Sequence, residues 1–143
     1  MLRKQKLQPQ QTKVVGPYSP GLQIGNLIFV SGQLGNLKNL EGDIKSQTKQ
    51  AFENIEVVLK ESDLGLSNVV KTTIFLKDLE DYEAVNRLYS IYFSAPYPAR
   101  SVVEVSNLPN NSLLEVECIA VDTRKCDLQD QVINDDCGGE GCQ

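Results

Sequence analysis

At 143 residues, with 41% hydrophobic and 23% charged side chains, the chain has the composition of one ordinary globular domain, able to bury about two-thirds of the surface it exposes when unfolded. The complete absence of histidine removes Ser-His and Cys-His nucleophilic machinery and every His-ligated metal site. A net charge of −5 argues against a basic grip on nucleic acid, and no apolar run reaches the roughly 18 residues that a membrane-spanning helix needs.

Charge is unevenly laid out. Residues 1–40 hold five basic side chains (Arg3, Lys4, Lys6, Lys13 and Lys38) and no acid. The start, "MLRKQKLQPQQTK", predicts a flexible basic leader over residues 1–13, with a folded domain over 14–123 and a polar, acidic, cysteine-containing tail over 124–143. A cytoplasmic protein is expected, a mitochondrial address for the basic start being the alternative. Within the domain, Leu22 to Ile24 suggests a short extra strand, and Asn26 to Gln33 reads as a buried strand ending near Gly32. From Asp43 to Ser62, Ile44, Thr48, Ala51, Phe52, Ile55, Val58 and Leu59 trace one helical stripe that Asp43 can cap. The β-branched run Val69 to Leu76 predicts a strand. Asp78 or Asp81 then caps a second helix with the stripe Tyr82, Val85, Tyr89, Tyr92 and Phe93, which Pro96 and Pro98 terminate. Strands over Ser101 to Ser106 and Leu113 to Asp122 close the domain, and "NLPNNS" between them reads as a hairpin loop. The order predicts an α+β fold: a mixed sheet with two helices packed on one face. The last strand is apolar on both of its faces, so a second copy of the chain is the simplest cover for the other side.

Two features of the last strands bear on chemistry. Arg100, a permanent cation with five donors, emerges from a two-proline approach at the root of a strand. Glu115 and Glu117 interrupt a strand face that otherwise wants burial, which is costly without a partner. In a hairpin centred on Asn110 Arg100 stands more than ~10 Å from Glu115, leaving a gap with room for a small molecule. A plain ion-pair network at a subunit interface accounts for the same residue types, and the residues alone do not choose between Glu115 and Glu117. Cys118 reads as a core residue. Cys126, Cys137 and Cys142 are separated by ten and then four residues, without the paired two-residue gaps of a zinc ribbon, so they read as tail thiols, with a Cys137–Cys142 disulfide under oxidation.

The segments "VVGPYSPGLQIGNLIFVSGQLG", "VVKTTIFLKDLEDYEAVNRLYSIYF" and "PARSVVEVSNLPNNSLLEVECIAV" closely resemble the RidA family, also called YjgF or endoribonuclease L-PSP, from about Val14 to Val121. The resemblance implies a chorismate-mutase-like fold in a homotrimer with a central barrel and with sites in clefts between subunits. It implies a hydrolase acting on C=N bonds, an enamine/imine deaminase that converts intermediates such as 2-aminoacrylate and 2-iminobutanoate to 2-keto acids and ammonia without metal or organic cofactor. It places the carboxylate-binding arginine on Arg100 and the water-holding glutamate on Glu115. Tyr18, Gly32 and Asn86 fall on the family's pocket positions. Val102 stands where many members carry cysteine, which leaves that position only its backbone N–H and excludes thiol chemistry there. The older family name supplies a rival, an endoribonuclease or translation inhibitor, the one reading with RNA as a partner. A non-catalytic small-carboxylate binder or a holdase is the third.

Overall fold

The computed structural model describes residues 1–35 and 42–124, so the expected tail, apart from Arg124, lies outside the described residues. Six strands and two helices follow one another as β1 (Lys4–Leu7), β2 (Gly21–Ile24), β3 (Leu27–Leu34), α1 (Ile44–Lys60), β4 (Val69–Leu76), α2 (Tyr82–Tyr92), β5 (Ala99–Glu104) and β6 (Leu114–Val121). Helix α1 begins where Asp43 accepts the Ser46 N–H at 2.8 Å, and that bond holds the Asp43 carboxyl below its ordinary pKa. Its buried face is the expected stripe from Thr48 to Leu59, joined by Gln47. Of the two candidate caps for the second helix, Asp78 does the work. It accepts the Glu80 N–H at 2.8 Å, closing a single turn over Leu79–Asp81 that feeds α2, whereas Asp81 makes no capping bond.

The sheet runs β1-β2-β3-β6-β4-β5. Only β4 and β5 are parallel, joined by the α2 crossover that parallel pairing requires; every other pair is antiparallel. Two expectations change here. The first is the closing hairpin: β5 and β6 do not pair, because β4 lies between them. "NLPNNS" carries the chain across β4 instead, through a turn over Pro109–Asn111 in which Asn110 and Asn111 take positive φ of 56° and 52°. The physical reason is burial. β6 alternates buried Leu114, Val116, Cys118 and Ala120 with half-buried Glu115, Ile119 and Val121 and exposed Glu117 and earns a central place, whereas β5 is largely exposed and takes the edge.

The second is the leader, which is not wholly solvated. Lys4–Leu7 pairs with β2, and Leu7 and Pro9 are buried. Gly21 makes this possible, since a Cβ there would collide with Val58 and crowd Leu7. Lys4 and Lys6 stay exposed on that edge strand and Arg3 just before it, where charge discourages edge-to-edge pairing.

Both helices cover one face. Phe52, Ile55 and Leu59 of α1 and Val85 and Tyr89 of α2 form one core with Ile28, Val30, Ile74, Leu76, Leu114, Val116 and Cys118. The opposite face is open and leaves Leu27, Phe29 and Val103 exposed. Cys118 is core, as expected, and burial, assisted by the nearby Glu117 charge, pushes its thiol pKa up to about 12.

Candidate functional site

Within one chain the expected site residues fall into two groups on opposite faces of the sheet. Arg100 pairs in register with Thr72, and Thr72 with Cys118, all on the helix-covered side. Glu115 pairs with Phe75, and Glu117 with Thr73, on the open side. The register separates Arg100 from Glu115 by three residues along the strands and two strand spacings across, roughly 10 Å in each direction. The separation is of the size a hairpin would give, but the two side chains lie on opposite faces of the sheet, so within one chain they do not share a gap that holds a small molecule.

The first group surrounds Arg100. Strand β5 starts two residues earlier than the valine run suggested, so Arg100 lies inside the edge strand rather than at its root. It borders an open recess of ≈ 390 Å³ lined by Asn86, Tyr89, Ser90, Tyr97, Pro98 and Arg100 itself. Its guanidinium carbon lies 4.7 Å from the Tyr89 ring centroid and 5.7 Å from that of Tyr82, and one terminal nitrogen donates to the Tyr82 hydroxyl at 3.3 Å. Among the described residues no carboxylate lies within ion-pair distance of it. Tyr89 is buried; desolvation raises its pKa, against the Thr72 hydrogen bond and the Arg100 charge, so the ring stays neutral. Val102, next but one along β5, packs its side chain against the core. The Val105 N–H donates to Leu76 O at 2.8 Å, and strand groups alternate, so the N–H groups of Arg100 and Val102 point to the free edge. That is the geometry the valine substitution needs if the position works through its backbone.

The second group surrounds Gly32. The β3–β6 register shifts between Val30 and Gln33, and at this bulge the Ser31 N–H donates to Pro20 O at 2.9 Å while its hydroxyl donates to Ser19 O at 2.6 Å. The carboxylate of Glu115 occupies the volume that a Cβ at position 32 would fill, so glycine here lets that carboxylate lie against the bulge, and a side chain in its place would push it aside. Partial burial raises the Glu115 pKa above its ordinary value, and the Glu117 charge adds to the rise. Tyr18, from the loop before β2, lines a recess of ≈ 390 Å³ with Gly32, Lys13, Gln33 and Asn54, which Glu115 adjoins only through Gly32. Glu117 lies instead in a separate hollow of ≈ 320 Å³ on the open face with Phe29, Ser31, Lys71, Thr73 and Ile119. Between the two glutamates, only Glu115 is placed beside Gly32.

Tyr82, Tyr89 and Tyr97 are the residues that sequence reasoning did not bring to the site. The first two were visible only as part of a core stripe. Their seven-residue spacing puts them on one helix face, but the spacing alone does not say that an arginine lies against it.

This is an α+β protein with a mixed sheet, an arginine held at a free strand edge and a half-buried carboxylate at a bulge. The family model described as Endoribonuclease L-PSP matches residues 8–122. A RutC family protein of Pyrococcus abyssi is 47% identical over 114 residues, covering 76% of this chain and 88% of that one. A 2-iminobutanoate/2-iminopropanoate deaminase of Dermatophagoides farinae is 39% identical over 117 residues, covering 79% and 91%. The crystal structure of E. coli TdcF with bound serine superposes with a TM-score of 0.77 at 31% identity, covering 82% of this chain and 98% of that one. The chain belongs to the RidA family, also called YjgF or endoribonuclease L-PSP.

Proposed function

We propose that the protein is a hydrolase of C=N bonds that converts small 2-imino acids, such as 2-iminobutanoate and the imine tautomer of 2-aminoacrylate, to 2-keto acids and ammonia. The site is completed when the Arg100 recess of one copy meets the Gly32 bulge of another, with Glu115 lying against it, in a cyclic homotrimer. The observation that carries this reading is Arg100: a guanidinium beside an open recess, free of any carboxylate partner among the described residues. Such a fork binds a substrate carboxylate bidentately, which lysine does not reproduce. The relative named as a deaminase and the serine held by a structural neighbour support a small carboxylated ligand.

The chemistry asks little beyond these groups. Glu115 accepts a proton from water as the oxygen adds to the C=N carbon of the protonated imine, and a neutral carbinolamine forms. Glu115 then returns that proton to nitrogen, and as the C=O bond forms ammonia leaves and takes the hydroxyl proton, giving ammonium and the 2-keto acid. A carboxylate with a raised pKa is a better base than an ordinary one, which suits the first step. Backbone N–H groups at Val102 and beside Gly32 orient the substrate, and Asn86 and Tyr18 line the two halves. The rival ribonuclease reading has the family's older name behind it, but an acidic chain of net charge −5 offers no basic track for RNA.

The test is a coupled assay in which a dehydratase generates 2-iminobutanoate from threonine and keto acid is followed with semicarbazide as a competing trap. The parent protein should outrun the trap. Arg100→Lys should lose about 10- to 100-fold in affinity for 2-oxobutanoate together with rate, the range for a charged hydrogen bond. Keto acid release no faster than in buffer, with 2-oxobutanoate still bound, would leave a carboxylate-binding protein in place of an enzyme.

A further inference from the structure

Resting on the assignment of Arg100 as the carboxylate clamp, the surroundings of that residue carry one step more. Tyr89 is 5% exposed and held on several sides: Phe93 stacks on it at 4.3 Å, Phe52 meets it edge-on at 5.8 Å, and its hydroxyl is 2.9 Å from Thr72 Oγ1. A ring so confined is a fixed surface. The Arg100 guanidinium lies against it at 4.7 Å, with a terminal nitrogen tied to the Tyr82 hydroxyl at 3.3 Å. An arginine held by an acidic neighbour would have its N–H edge occupied. Held over aromatic rings and by one hydroxyl instead, it keeps its remaining N–H donors for a ligand and has lost much of its rotamer freedom before the ligand arrives.

We propose that Tyr89 and Tyr82 are positioning residues that set the plane of the Arg100 guanidinium. In this role they select for a carboxylate on the substrate without touching it. Ring and hydroxyl act separately: Tyr89 supplies the platform, and Tyr82 stops rotation about the last bonds of the arginine stem.

The experiment is calorimetric binding of 2-oxobutanoate and of its neutral amide, with deaminase kinetics alongside, on Tyr82→Phe, Tyr82→Leu, Tyr89→Phe, Tyr89→Leu and Arg100→Lys. Tyr82→Phe should weaken keto-acid binding about 3-fold. Tyr89→Leu should weaken it about 5- to 10-fold, and Tyr89→Phe, which keeps the ring, should restore most of that loss. KM should rise more than kcat falls, and affinity for the amide should move little. A merely structural role predicts equal losses for acid and amide, and that result overturns the proposal. Should Tyr89→Leu fail to fold, Tyr82→Leu decides, because Tyr82 is 40% exposed. Unchanged acid affinity in Tyr82→Leu, with Arg100→Lys impaired, refutes the positioning role alone. Unchanged affinity in Arg100→Lys removes the clamp itself.

Discussion

The two recesses do opposite things with side-chain volume. Around Arg100 the fold adds bulk: Phe93 stacks on Tyr89, Phe52 meets both rings edge-on, and the Arg100 guanidinium lies over the rings of Tyr89 and Tyr82 at a strand edge. Around Glu115 it removes bulk, since the carboxylate occupies space that any side chain at position 32 would take. One half is stiff because it is full. The other depends on a single missing atom. Neither half holds both Arg100 and Glu115, which lie on opposite faces of the sheet.

The sharpest way to break this comparison is complementation. Arg100→Lys and Glu115→Gln should each lose most of the deaminase rate, Glu115→Gln by about 100-fold or more while still binding 2-oxobutanoate. Co-expressed in one cell and purified as mixed assemblies, the two inactive chains should recover up to about one-quarter of parent activity, because random pairing then joins two intact halves at that fraction of interfaces. Recovery no greater than the sum of the separate variants would place the whole site within one chain.

Gly32→Ala tests the half built by absence. The new methyl meets the movable end of the Glu115 side chain, which swings aside, so the stability cost should stay below about 1 kcal/mol while turnover falls much further because the carboxylate is displaced. Pairing it with Glu115→Ala should recover part of that stability in a thermal melt but none of the activity; no recovery would mean that the crowding is with backbone.

Glu117→Gln should have the smallest effect, and it is read in pH. Burial first, and the Glu117 charge second, hold the Glu115 pKa above its ordinary value of 4.5. Removing Glu117 lowers it, so the acid limb of kcat/KM, where the base must be ionised, should move to lower pH. The stability linkage has a definite sign. A carboxyl with a raised folded pKa favours the fold below its unfolded pKa and loses that advantage as pH rises through the folded value. Glu117→Gln should therefore shrink the loss seen on going from pH 4 to neutrality. An unmoved acid limb would mean that another group titrates there.

Sequence periodicity reached the elements and the faces. β4 has the bounds that its β-branched run predicts, Asp43 caps α1, and the parity of β6 put Glu115 and Glu117 on the open side. Strand order was beyond it. A six-residue connection rich in Asn and Pro either turns or crosses a neighbouring strand, and what decided between them was burial of β6, a property of the whole sheet. β1 was hidden for a related reason: "KQKL" has one apolar residue, and its strand exists because β2 offers an edge and Gly21 offers room for Leu7. The aromatic platform was read as core, because helical spacing names a face without naming what lies against it. The residues proposed for the site came from the RidA motifs and not from periodicity.

Cys118 has a practical consequence. Its thiol, at about 12, is almost entirely protonated near neutral pH and sits in the middle of the central strand β6. The other three cysteines, Cys126, Cys137 and Cys142, are all in the last eighteen residues of the sequence. Replacing those three with serine would leave a chain with one thiol, silent to alkylating reagents while the sheet is closed. The rate at which that thiol takes up label would then be a clock for how often the sheet opens, read by mass spectrometry with no added probe.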